Sequence, residues 1–277
     1  GQDDYREVST AEGTICLDAE LSIEKLLEVY PQTTCYMASS SSTTVLQEDF
    51  EDASVEYTTS QVECNDGSED FFTRTDGTDI GSSVVYNSPI GSYYFAAMDT
   101  DGSPCSESPT TMSFSDIDIT GLTNIEFCVY LAEDDDGSNE DWDDSDYLHI
   151  DYDIDNSGSF TPMIWVENDG SQFNSVPLID TDFNGTGDGA EITSTFTQYC
   201  FNIPGTGSDL DIEIEFALNS GDEDIAIDEV TVTGDSAGGS DCVTDTAPSN
   251  LSESDITDTE ATLSWGPVVD ADSYDVA

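Results

Sequence analysis

The chain sets 62 Asp and Glu residues against 3 Lys and Arg, a formal net charge of −59. Arg6, Lys25 and Arg74 are too few to neutralise that charge internally, so the acids must face water, bind cations, or both. Self-repulsion on this scale opposes compaction unless salt screens it or metal quenches it. Surfaces that bind phosphate need clustered Lys and Arg, which excludes nucleic acid as a partner. Anionic membrane surfaces are excluded on the same ground.

The chain is nevertheless expected to fold. Disordered acidic chains are poor in aromatic and β-branched residues, whereas this one carries 12 Tyr, 12 Phe and 3 Trp among its 277 residues. That length can bury one large core or two smaller ones. The acids are mostly Asp, mixed with Ser, Thr, Gly and Asn, which favours strands and turns over helices. No run approaches ~18 continuous apolar residues, so no membrane-inserted helix is expected. The opening Gly1-Gln2 has no signal peptide before it, the pattern of a processed or trimmed product. Seven cysteines beside a single histidine, with no C-x-x-C, read as disulfides in an oxidising exterior rather than as a zinc set.

Four segments follow from composition. Residues 1–44 form an N-terminal appendage. In it Ser22 caps a short helix that ends at Tyr30-Pro31, Cys16 and Cys35 flank that helix as a candidate staple, and Ser39 to Thr44 is a linker. Residues 45–234 show short alternating runs separated by Gly, Asn, Asp and Pro turns, including 92–98, 124–131, 147–154, 162–166, 195–203, 210–218 and 225–232. Many short strands and no long helix predict a jelly-roll-like antiparallel β-sandwich. Alternation puts Cys128 and Cys200 on the outer sides of their strands, which makes a Cys128–Cys200 cross-strand bond plausible. Cys64 and Cys105 are a second candidate pair, and Cys242 is left unpaired or intermolecular. Residues 235–247 are a linker.

Residues 248–277 carry Pro248-Ser249-Asn250-Leu251, then Leu263-Ser264-Trp265, then Tyr274-Asp275-Val276. This resembles the opening of a fibronectin type III domain, and the resemblance implies an incomplete sandwich. Such a fragment cannot close a core by itself. The expectation is that the chain continues beyond Ala277 or that its strands pack on a neighbour. Phe50-Glu51-Asp52 and Ile225 to Val232 resemble the ends of jelly-roll domains in carbohydrate-binding modules and adhesins. Together with the C-terminal pattern, this is similar to secreted or surface proteins of Bacteroidota.

The sharpest local motif is Asp180 to Glu191, which satisfies D-x-[DN]-x-[DN]-G-x₅-E. Calcium takes six to eight oxygen ligands. Asp180, Asp182, Asn184, the Thr186 carbonyl, Asp188 and Glu191 are the candidate donors, and Gly185 permits the turn. The flanks read as β and the eighth position is Gly187, so a calcium loop between strands is expected rather than a helix-loop-helix sensor. An Asp/Gly-rich solvated turn is the competing reading. Asp153, Asp155 and Ser157 begin a second such loop without a closing Glu, in competition with a plain hairpin turn. The acid-rich run 133–144 reads as a solvated loop. In many jelly-roll modules, acids at the two ends of the domain share a structural calcium, which the resemblance places at Glu51 and Asp228.

Catalysis has little support. His149 lies opposite Leu148 and Ile150 in its strand and reads as a surface histidine, and no nucleophile elbow or H-E-x-x-H occurs. Tyr93, Tyr94, Trp142 and Trp165 are candidates for stacking on sugars, with core packing expected for Trp165. The sequence therefore points to a non-enzymatic, extracellular or cell-surface protein: a calcium-stabilised adhesive unit of an assembly, stalk or filament. Its partners would be Ca²⁺, copies of itself or other surface proteins, and glycans. The alternative is a carbohydrate-binding accessory module of a secreted hydrolase. A halophilic origin would also account for the acid coat.

Overall fold

The computed structural model describes residues 42–134, 142–171 and 175–236, and the backbone of four short strands outside them. Those four are β1 (Tyr5–Thr10) paired with β2 (Gly13–Asp18), and β16 (Ser252–Ser254) paired with β17 (Thr262–Ser264), both antiparallel. The expected helix at Ser22–Tyr30, the Cys16 and Cys35 side chains, Cys242, residues 135–141 and the rest of 248–277 lie outside the described residues. Ser42–Ser236 forms one compact unit.

That unit is all-β among its described residues. Its strands are β3 (Ser42–Glu48), β4 (Thr58–Thr59), β5 (Cys64–Asn65), β6 (Phe71–Thr75), β7 (Tyr94–Met98), β8 (Thr110–Asp118), β9 (Leu122–Ala132), β10 (Tyr147–Ile154), β11 (Thr161–Glu167), β12 (Leu178–Asp180), β13 (Thr197–Asn202), β14 (Asp209–Ala217) and β15 (Asp224–Ser236). One sheet runs β12-β11-β10-β14-β8-β4. The other runs β13-β9-β15-β7-β6-β5, with β3 added to β15.

This pairing is a jelly roll. β7 pairs with β15, β8 with β14, β9 with β13, and β10 with β11. Each outer pair encloses the next, as in one long antiparallel ribbon folded across two layers. Strand alternation explains why it closes. On β14, Leu210, Ile212, Ile214 and Phe216 are buried while Asp211, Glu213 and Glu215 are partly exposed. On the facing sheet, Phe127, Val129 and Leu131 of β9 and Ile225, Ile227, Val230 and Val232 of β15 fill the same core. The period of two thus sorts apolar residues inward and acids outward.

A second, smaller core lies on the outer side of the seven-stranded sheet. Phe71, Tyr94, Ala96, Met98 and Ala226 meet Ile80, Val84, Tyr86 and Phe196 from the connecting segments. Tyr86 donates to Asp224 of β15 at 2.6 Å, which ties the 76–91 segment to the sheet.

Two expected linkers are corrected. Ser42 to Thr44 belong to β3, and β15 continues to Ser236, past the expected end at residue 234. Thr233, Gly234 and Asp235 pair with Thr44, Thr43 and Ser42. Ladder hydrogen bonds are made by the backbone, so a Ser/Thr run joins a sheet once a long neighbouring strand offers it an edge. Disulfides join Cys128 to Cys200, directly opposite on β9 and β13, and Cys64 to Cys105.

Phe127 is fully buried between the layers. Phe127→Ala should cost about 3–5 kcal/mol by transfer and cavity terms together. Denaturant unfolding with unchanged slope would check it, and a cost below about 1 kcal/mol would contradict this core.

Candidate ligand platform and cation sites

The outer face of the six-stranded sheet carries the most organised polar constellation among the described residues. Tyr147 and His149 are two apart on β10, so they share a face, and Trp165 of β11 is the direct cross-strand partner of His149. The three rings stack in a row. Tyr147 and His149 have centroids 4.0 Å apart with planes at 21°, and His149 and Trp165 are 3.8 Å apart at 10°. Phe183, from the loop after β12, meets Trp165 edge-on at 5.6 Å.

Each polar ring edge is held by a carboxylate on a neighbouring strand, always one step diagonal in the register. Tyr147 donates to Glu215 and Trp165 Nε1 donates to Asp151, both at 2.7 Å, while His149 Nε2 pairs with Glu167. The rings cannot turn without breaking a charge-assisted hydrogen bond. Burial raises the Asp151 and Glu213 carboxyls, with crowding by Glu215 adding to both. Burial and Glu215 also raise the Tyr147 phenol.

Several expectations change here. Trp165 sits on this open face rather than in the core, because Ile164 and Val166 point inward and Trp165 takes the opposite side. His149 is mostly covered, with its side chain 18% exposed between two rings, rather than a free surface histidine. Of the other proposed stacking residues, Trp142 and Tyr94 are buried core members, and Tyr93 lies under the Arg74 guanidinium at 3.9 Å. The stacked row was invisible in the sequence because it joins two strands, although Tyr147, His149 and Asp151 at spacing two were a local hint.

The candidate calcium residues fall in three places. Among the candidate ligands of the Asp180 loop, Asp180 is buried, at 1% exposure, while Asp182, Asn184, Asp188 and Glu191 are exposed. Asp180 accepts from the Asp182 and Gly185 amides at 3.1 and 2.8 Å, and Gly185 has φ +82°. Asp188 takes the Thr181 amide and hydroxyl, and Thr186 is half-buried. Gly187 explains the missing apolar residue at position eight: a Cβ there would lie 2.6 Å from the Glu167 carbonyl. The second loop repeats the geometry. Asp153 accepts from the Gly158 amide at 2.7 Å and from the Ser157 hydroxyl, and Gly158 has φ +75°. Asp155 instead turns to Ser208 and Asp209, accepting from both amides.

Glu51 and Asp228 converge on one short segment. Buried Glu48 accepts the Phe50 and Glu56 amides, Arg74 donates to the Phe50 carbonyl, and Glu51 is thereby presented to the 90–93 segment. Glu51 Oε1 accepts from the Ser92 and Tyr93 amides at 2.6 and 2.8 Å, and Asp228 Oδ2 accepts from the Ile90 amide at 2.7 Å. Gly91 between them has φ +85°, and a Cβ there would overlap Glu51. Asp228 is fully buried, and burial pushes its carboxyl up to about 7, with Glu51 adding to the rise. Two carboxylates around backbone offer the hard oxygen donors that calcium takes.

Two further carboxylate groups escaped the sequence reading because their members are distant in the chain. Asp116, Asp209 and Asp211 gather at one end of the six-stranded sheet, and Asp143, Asp146 and Glu223 at another position. In the latter, Asp146 and Glu223 are only 1% and 2% exposed. Burial holds Asp146 up at about 9, and it keeps its proton in a hydrogen bond to Glu223. Amides of Asn219 and Ser220 satisfy Glu223.

No family model matches the chain, and no curated protein matches it. Among solved structures it is similar to the K3 adhesin domain of Lys-gingipain from Porphyromonas gingivalis, with 13% identity over 70% of this chain and 99% of that one, TM-score 0.38. It is also similar to the CBM22-1–GH10 modules of Clostridium thermocellum xylanase 10B, with 11% identity over 69% of this chain and 28% of that one, TM-score 0.38. A cyclase from Fischerella sp. TAU gives 12% identity over 71% of this chain and 99% of that one, TM-score 0.39. Likenesses with TM-scores below 0.5 carry no functional information about this chain.

The Asp146–Glu223 pair makes stability depend on pH in a definite sense. A folded-state pKa raised above the unfolded value of about 3.9 stabilises fully below that value and loses its contribution as pH rises through about 9. Asp146→Asn should therefore be relatively more stable than the parent at alkaline pH, with the gap closing toward pH about 4. Thermal melts at constant ionic strength would check this, and a gap that widens on acidification would contradict it.

Proposed function

We propose that residues 42–236 form a non-catalytic extracellular binding module, an adhesive jelly roll stiffened by calcium, that holds glycans on the outer face of its six-stranded sheet. The observation that carries this reading is the row Tyr147–His149–Trp165 with its three tethering carboxylates. Preorganised aromatic and hydrogen-bonding groups on rigid strands lower the ordering cost of binding. Sugars combine apolar C–H faces with hydroxyls, and this surface offers the edges of stacked rings beside oxygen acceptors. The two disulfides and the acid coat fit an oxidising, saline exterior.

Calcium is supported by three features. The Asp153 and Asp180 loops each place a left-handed Gly at position six with its amide on the first Asp. Glu51 and Asp228 hold one backbone segment between two carboxylates. Residues 42–236 contain one Arg and no Lys to balance their acids. No observation within these residues favours filament assembly over glycan binding.

Two outcomes are expected. Trp165→Ala should leave the protein folded and weaken oligosaccharide binding about tenfold or more, the scale of one stacked aromatic and its hydrogen bond; calorimetric titration with matched circular dichroism would show it. Calcium at 100 times its dissociation constant should stabilise by about 2.7 kcal/mol, well beyond KCl of equal ionic strength. Equal effects of the two salts would reduce the acid loops to screening alone.

A further inference from the structure

β13 ends the seven-stranded sheet, with β9 on one side of it. Ile203 donates its amide to the Ile125 carbonyl, so the residues that alternate with it, Phe201 and Tyr199, also turn their backbone groups toward β9. Cys200 and Cys128 are directly opposite with Cα atoms 4.2 Å apart, the close spacing of a pair that exchanges no ladder hydrogen bonds. Both observations turn the N–H and C=O of Gln198, Cys200 and Asn202 away from the sheet. Among the described residues no hydrogen-bond partner reaches them. The opening has definite ends. Phe196 donates to the Asn87 carbonyl, and Pro204 has no N–H with which to continue a ladder. An open edge of this kind accepts a further strand.

The chemistry of the edge decides what fits it. In a chain with a net charge of −59, residues 192–208 carry no charged side chain. A basic segment, which would suit the acid coat, finds no carboxylate along this strand. By contrast, β5 is flanked by Glu63 and Asp66, and β12 ends on Asp180 with Asp182 just beyond. β13 is also its own complement. Antiparallel pairing with a second copy, centred on Cys200, gives each of the three outward residues a ladder partner. It sets Gln198 opposite Asn202 of the second copy and Tyr199 opposite Phe201 of the second copy. Side-chain amides then meet on the outer side. Aromatic rings meet on the inner side, where Tyr199 and Phe201 are half-buried against the core. Sliding the register by two residues places an outward residue opposite Phe196, already bonded to Asn87, or opposite Pro204.

We propose that two copies of this chain pair antiparallel through β13, with a two-fold axis at Cys200, so that their seven-stranded sheets become one continuous sheet. The pair is closed, because each copy uses the same strand, and this edge therefore cannot build a filament. The axis stands perpendicular to the joined sheet. Both six-stranded sheets then lie on one side of it and turn their outer faces the same way. The two acid coats repel each other, so screening by salt favours the pair. Pairing through β13 does not depend on the glycan-binding reading.

The test is analytical ultracentrifugation of the full chain over a concentration series, at constant calcium and at low and high KCl. A reversible monomer–dimer equilibrium that shifts toward dimer as KCl rises is expected. Gln198 and Asn202 are exposed, so Gln198→Glu/Asn202→Asp keeps side-chain size and sets carboxylates opposite one another near the axis. It should weaken the dimer about tenfold or more. Gln198→Lys/Asn202→Lys should likewise fail to pair with itself, yet pair with the acidic variant in a mixture. Thermal melting confirms that both variants are folded. Hydrogen exchange of the unsubstituted chain gives a reading that needs no variant. The amides of Gln198, Cys200 and Asn202 should gain protection as concentration rises, while those of Tyr199 and Phe201, already bonded to β9, should not change. A chain that stays monomeric at every concentration and salt level would overturn the proposal. A dimer that persists in the folded acidic variant and leaves the three outward amides unprotected would also overturn it, and would assign association to another surface.

Discussion

Burial of alternate apolar residues between two sheets is the interaction that makes this chain possible. A net charge of −59 opposes any compact state, and nothing in the composition can cancel it. The jelly roll separates the two demands instead. Phe114, Phe127, Leu148, Ile214, Phe216 and Ile227 go to the interior, where area removed from water stabilises by roughly 25 cal/mol per Å². The acids that alternate with them are delivered to outer faces and loop tips, where water screens them.

The same sorting creates the sites. Because β14 alternates Leu, Ile and Phe with Asp and Glu, a strand that closes the core also builds a carboxylate row. Its partner β10 alternates Leu148 and Ile150 with Tyr147, His149 and Asp151, so that an aromatic row stands next to the acidic one. The diagonal hydrogen bond from Tyr147 to Glu215 follows from their register. On the other sheet, β15 supplies Ile225 and Ile227 to the core and Asp224 and Asp228 to the opposite side. There a covering segment buries them and raises the Asp228 carboxyl. Acids that escape water are met by donors: Glu48, Asp180 and Glu223 each cap two or more backbone amides, and Asp146 keeps its proton.

Much of the architecture was legible locally. Period-two alternation marked β9, β10, β14 and the start of β15, and it put Cys128 and Cys200 on matching sides of their strands. It failed where backbone pairing, rather than side-chain pattern, decides the state. Ser42 to Thr44 and Asp235 to Ser236 read as linker, yet they are strand because β3 and β15 supply each other with an edge. Trp165 misled for a related reason. In Met163-Ile164-Trp165-Val166 four apolar residues run together, and which of them faces the core depends on the register with β10.

The amino-acid sequence by itself determined the all-β character, the acid coat, the disulfide-bearing strands and the loops whose Asp and Gly spacing suits calcium, because each rests on residues near one another in the chain. Only the tertiary structure decided that Trp165 is half-buried on the outer face of its sheet and Trp142 in the core. It alone decided that His149 is clamped between two rings, and that Asp146 shares a proton with Glu223 from 77 positions away. Those outcomes depend on strand register and on which segments cover which face, and burial and hydrogen bonding across layers assign them.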